Sequence, residues 1–155
     1  MALSQNQFAQ SVVQGMHGLR PSSKVISAQI DTSSAGGLVA GQPVKLVDSA
    51  GGVPKVVECA ANTDTVLGFI VYDLKKASHA VDDAVEIDTG FDDVMWMTAG
   101  AAIARGALLM IQVSGVKVVT ATTGKPIIGW AMDKAAADGD LIKVSLSCPA
   151  YFKAD

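Results

Sequence analysis

From Lys24 onward, apolar and polar residues alternate in short runs broken by turn residues, which is the two-residue period of half-buried strands. Strands are expected at Val25–Ile30, Pro43–Val47, Val53–Glu58, Val66–Tyr72 and Ala84–Asp88. Five more are expected at Val94–Thr98, Ala107–Val113, Lys117–Thr120, Ile127–Met132 and Leu141–Ser147. Ala50-Gly51-Gly52, Ser114-Gly115, Thr123-Gly124-Lys125-Pro126 and Asp138-Gly139-Asp140 mark turns between them. Alternation is clearest in Val85-Glu86-Ile87-Asp88 and in Ile142 to Leu146, so one face of each sheet should be solvated. The Ala-rich stretches Ala99–Ala104 and Lys134–Ala137 suggest single helical turns. The pattern predicts one compact, mainly β domain of many short strands over residues 25–155.

The chain also repeats itself once. VAGQPVKLV, VPKVVE, NTDTVLGFIVYD and DDAVEI in the first half are matched by IARGALLMI, VKVVT, TTGKPIIGWAMD and DGDLIKV in the second. Gly41 then falls on Gly106, Val56 on Val118, Gly68 on Gly129 and Asp83 on Asp140. A glycine before Phe69 and before Trp130 is expected where a neighbouring backbone approaches closely or a bulge forms.

Residues 1–24 do not share this pattern and read as an N-terminal arm, the alternative being a frayed terminus packed loosely on its own domain. Ser4 and Gln7 have the spacing of a capping box, and Phe8, Val12 and Met16 would share one helical face. So short a helix is marginal by itself, and Arg20-Pro21-Ser22-Ser23 interrupts it.

Composition narrows the functions available. Half of the residues are hydrophobic, yet the aromatics are only four Phe, two Trp and two Tyr, too few to stack nucleobases or line a large cofactor pocket. Twelve Lys and Arg against fifteen Asp and Glu are dispersed, without the cation cluster a phosphate backbone requires, so nucleic acid is not an expected partner. No apolar stretch approaches the roughly 20 residues of a membrane-spanning helix, and the first residues lack the positive and apolar regions of a signal peptide. Cys59 and Cys148 read as two free buried thiols in a reducing compartment.

Candidate chemistry is sparse. His17 and His79 have no metal-ligand spacing to other donors, and His79 near Asp82 and Asp83 reads as a solvated loop histidine. Asp82-Asp83 and Asp92-Asp93 are adjacent, so in a strand they would point to opposite faces; solvated loops suit them better than paired catalysis. Asp138-Gly139-Asp140 lacks the further ligands of a calcium loop and reads as a tight turn. Gly124-Lys125-Pro126 lacks the glycine spacing and hydroxyl of a phosphate loop. We expect no catalytic residue, cofactor, metal or small-molecule substrate.

The order AGQPV, VLGFIV, DDAVEI, AAIARGALLMI, GKPIIGWAMDKAAADGDLIKVSLS resembles the structural cement and head-decoration proteins of tailed phages, the group that includes lambda-type head-stabilising proteins. Ile127-Ile128-Gly129-Trp130-Ala131 and Gly139 to Leu146 follow that pattern most closely, and the resemblance covers roughly residues 35–147. It departs in the long connection Asp73–Asp82 and in the N-terminal arm. The resemblance implies a β-tulip-like domain, made in the host cytoplasm, that binds the capsid exterior as a homotrimer and bridges major capsid protein subunits. Phe8, Val12, Val13 and Met16 are then expected to dock on the capsid, and Trp96 and Trp130 to lie in the core or the trimer interface. The alternatives are another β-rich virion component, such as a tail tube or fibre base, and a β-barrel module binding a small ligand or peptide.

Overall fold

The computed structural model describes residues 24–35, 37–47, 52–112, 116–148, 150 and 153–154. Phe8, Val12, Val13 and Met16, with the rest of the arm up to residue 23, lie outside the described residues. Twelve strands form among the described residues: β1 (Val25–Ile30), β2 (Leu38–Val39), β3 (Pro43–Val47), β4 (Lys55–Glu58), β5 (Gly68–Ile70) and β6 (Ser78–His79) in the first half. β7 (Ala84–Asp88), β8 (Phe91–Ala99), β9 (Leu108–Ile111), β10 (Lys117–Thr120), β11 (Gly129–Ala131) and β12 (Leu141–Ser147) complete them. No helix forms among the described residues, which corrects two expectations. Ile103 and Ala135, from the stretches expected to be helical turns, instead pair with each other as an antiparallel bridge. Each backbone N–H reaches the other residue's carbonyl at 3.0 and 2.9 Å, so bonding across the loops replaces bonding along them.

The strands close into two five-stranded barrels, in the orders β1-β4-β3-β5-β7 and β8-β10-β9-β11-β12. The two orders are the same list. β1 runs parallel to β4 as β8 does to β10, and every other neighbouring pair within both barrels is antiparallel. Register agrees residue by residue: Ile30 opposite Val56 matches Ala99 opposite Val118, and Val44 opposite Gly68 matches Leu109 opposite Gly129. The repeat legible in the sequence is therefore a duplicated barrel, with β1 and β8 as its first strands.

Equivalent inward positions hold different side chains of compensating size. Ala28, Ile30 and Ile70 fill the first barrel where Met97, Ala99 and Ala131 fill the second, and all six are buried. Two cores of similar shape are thus packed by exchanging large for small residues. The turns repeat too. Gly41 and Gly106 both have positive φ (75° and 82°), and each donates its N–H to the carbonyl of Ile70 or Ala131 at 2.7 Å. Asp83 and Asp140 each accept an N–H three residues back, from Ala80 (2.8 Å) and Ala137 (3.0 Å), tying the turn that starts the last strand of each barrel. The preceding left-handed position is Asp82 in one copy and Gly139 in the other, two residue types that tolerate it.

Gly68 and Gly129 sit against the backbone of the next strand, as their position before an aromatic suggests. A Cβ at Gly68 would lie 2.2 Å from the Asp88 carbonyl oxygen, and one at Gly129 2.1 Å from that of Ser145. Asp88 and Ser145 are equivalent residues, since they pair with Phe69 and Trp130. Removing a glycine from a strand usually favours folding, but here the obstacle is backbone and cannot rotate away. Gly68→Ala and Gly129→Ala should each lower stability by about 3 kcal/mol, the upper end for overpacking, in chemical denaturation. Gly52→Ala, with open space around it, should change stability by no more than about 0.5 kcal/mol; equal effects at all three positions would refute the close-approach account.

Candidate interaction face

Strand periodicity puts Ile70 inside the first barrel, so Phe69 points out from its wall. It is nevertheless fully buried. Phe69, Val66 and Cys59 belong to the apolar cluster of the second barrel, together with Leu146, Cys148 and Ala150. The Ala150 N–H donates to the Val66 carbonyl at 2.9 Å, so the chain leaving β12 is laid along this wall. The outer wall of the first barrel is thus an interface within the chain.

The same wall of the second barrel is open. Trp130 stands where Phe69 does and Leu108 where Pro43 does, given the pairings Trp130–Leu108 and Phe69–Pro43. Trp130 is 42% and Leu108 47% exposed, and Phe91, 64% exposed, lies beside them. Phe91, Leu108, Ile127 and Trp130 line a groove of about 270 Å³ floored by Gly129 and Ser145. Asp92 explains why Phe91 is there. It takes a left-handed conformation (φ 66°) beside a register break between Ser145 and Ser147, and its Oδ1 accepts the Ser145 hydroxyl at 3.0 Å. A bulge at this point re-aims the neighbouring side chain. Of the expected core-or-interface pair, Trp130 is therefore not in the core. Trp96 is half-buried on β8, with the Lys143 ammonium 5.6 Å from its ring centre.

The remaining candidates are accounted for by local structure. His79 is buried in β6, paired with Leu38 of β2, and is not the solvated loop residue expected; the long 73–82 connection folds it inward. It borders a cleft of about 520 Å³ with Asp73, Lys75 and Glu86. Asp83 is drawn below the usual carboxylate range by Lys76, 2.9 Å away, and by the Ala80 N–H. Asp92 and Asp93 lie in β8, a strand, where loops were expected. Asp138-Gly139-Asp140 forms the tight turn anticipated. Among the described residues no group of three or more His, Cys, Asp or Glu is placed to hold a metal ion. No helix there is long and apolar enough to cross a membrane.

Cys59 and Cys148 are free and buried at the junction of the barrels. Burial, with Asp64 nearby, pushes the Cys59 thiol up to about 12, and burial together with Asp88 and Cys59 moves Cys148 in the same direction. Burial also raises the Asp64 carboxyl, but hydrogen bonds from Lys45 Nζ (2.8 Å) and from the Ala61 and Ala60 N–H groups outweigh it and hold the group below its usual range.

The fold defines a tandem-duplicated all-β protein whose distinctive surface is an apolar face, with Asp83 engaged in a turn and an ion pair and Asp92 bonded to Ser145. No curated protein matches the sequence. Among solved structures, the head fiber gp8.5 N base of bacteriophage phi29 is similar, with 14% identity and a TM-score of 0.56 over 84% of this chain and 98% of that one. At that identity the likeness is one of fold. Residues 4–147 match the family described as structural cement protein (E217 gp24/Pam3 gp6). The chain belongs to this family of phage structural proteins.

Two predictions follow from the site chemistry. Neither thiol should react with iodoacetamide at pH 8 in the folded protein, because the attacking thiolate is almost absent; both should react in denaturant, and rapid labelling of the native state would contradict the burial described. A folded-state pKa held below the unfolded one contributes stability above the unfolded value, and that contribution is lost as pH falls through the folded one. Asp64→Asn should therefore lower the melting temperature at pH 7, and its curve should converge with wild type as pH falls below the usual carboxylate range. An undiminished gap at low pH would assign the loss to packing.

Proposed function

We propose that the protein binds the outside of a tailed-phage capsid as a trimer and stabilises the shell by bridging major capsid subunits. The observation that carries this reading is the family match across residues 4–147, which spans both barrels and most of the N-terminal segment. Physical features support it. Barrel closure leaves neither five-stranded sheet with a free edge, so the module can be packed densely on a lattice without uncontrolled strand pairing. A cement protein needs moderate interfaces repeated at many symmetric sites, each burying on the order of 800 Å² per partner, and no catalytic group. In this reading Phe8, Val12, Val13 and Met16 dock on the capsid surface, where an extended arm can also add backbone hydrogen bonds to a capsid strand. The buried free thiols suit synthesis in the reducing host cytoplasm before assembly onto the virion exterior. The fold shared with a head-fibre base favours a second reading, in which the chain is a base for a further component on the head.

Mixing the full-length protein with purified shells that lack it should give saturable binding and raise the shell disruption temperature in calorimetry. Absence of binding would refute the capsid role. Deleting residues 2–20 should weaken binding at least tenfold while leaving the thermal unfolding of the barrels unchanged. A deletion variant that fails to fold would assign the arm to the core instead.

A further inference from the structure

We propose that the Trp130 face is where one copy of this chain packs against another: the outer wall of the second barrel is a self-association surface. The inference rests on the trimeric attachment proposed above and goes further by naming the surface. Its basis is the duplication. In the first barrel this wall, with Phe69, Pro43 and Cys59, is a docking surface, occupied by the second barrel and the chain that leaves β12. In the second barrel the equivalent wall keeps large apolar side chains at the same positions, Trp130 and Leu108, and the described chain leaves them 42% and 47% exposed. The repeats share strand order and register, so equivalent backbone positions present these side chains on both walls. Nothing among the described residues gives the second wall what the first receives within the chain, and a second copy carries apolar walls able to supply it.

Two further observations point the same way. The bulge at Asp92 turns Phe91 outward beside Trp130 and Leu108, enlarging the apolar area instead of hiding it. Val25, Leu46, Val53 and Leu74, the exposed large apolar residues described in the first half, are not among those lining this groove; three large side chains meeting at one wall mark an interaction site. The groove of about 270 Å³ is lined mainly by apolar side chains, which suits apolar side chains laid across it.

Trp96→Phe leaves Trp130 as the one tryptophan, so its emission reports on this wall. Size exclusion with light scattering, run on full-length protein across a dilution series, should show a multimer whose mass falls as the Trp130 emission shifts to the red. Leu108→Glu and Trp130→Arg should run at monomer mass with unchanged circular dichroism and melting temperature. The inference is overturned if both variants keep the wild-type mass, if wild type is monomeric at the highest concentration, or if the mass falls without an emission change. It is also overturned if deleting residues 2–20 shifts the emission at constant mass, which would make the chain's own N-terminal segment the occupant. Wild-type self-association without binding to shells would sink the capsid role and leave this inference standing.

Discussion

Each barrel closes through a three-residue strand that begins on a glycine pressed against a neighbouring carbonyl, and much of the architecture depends on that contact. At Gly68 and Gly129 the absence of a Cβ lets β5 and β11 sit between two partners each, β3 and β7 or β9 and β12. The next residue must then point outward, because side chains alternate across a strand. Close approach therefore fixes an aromatic on the outer wall in both copies. In the first it became the seam between barrels; in the second it remains on the surface.

That asymmetry is the consequence of joining two copies in one chain. A barrel with an apolar outer wall must cover it, and the first barrel covers its wall with its successor. Phe69, Val66 and Cys59 enter the second core while the inward residues of the first barrel form a separate cluster. The two cores are distinct, but the seam between them is apolar and dry enough to raise both thiols well above their usual range. Such a seam holds the barrels as one unit, which suits a phage structural protein.

Much of this was legible in the chain. Val25–Ile30, Pro43–Val47, Ala84–Asp88, Lys117–Thr120 and Leu141–Ser147 appear with the bounds their alternation predicts. The matches of Gly41 with Gly106, Val56 with Val118, Gly68 with Gly129 and Asp83 with Asp140 hold in register and hydrogen bonding. β2 and β6 were not legible, since two-residue strands carry no period. Nor was the membership of β1 and β8 in the repeat. VISAQI and VMWMTA share almost no residues, because their inward positions exchange Ala for Met and Ile for Ala. The Ala-rich loops looked helical because Ala favours helices, but bridging across the barrel end satisfied their backbone groups first. Burial of His79 follows from the long 73–82 connection folding back to pair with β2, a long-range contact with no local signal.

The fate of Trp130 was the least legible feature, and the reason is general. Gly68-Phe69 and Gly129-Trp130 are the same signal in sequence, placed in the same register of the same barrel. Their exposures differ because the second barrel covers the first wall, while nothing comparable covers the second wall among the described residues. Burial of an outer-wall residue is a property of what lies beyond the barrel, so local patterning cannot encode it. The duplication supplies what patterning lacks, since it shows the same wall once with its partner in place. A terminal repeat in a tandem array usually ends on a polar outer face that stops further stacking. The second wall carries Trp130, Leu108 and Phe91 instead, an apolar face where a stacking array would end on a polar one.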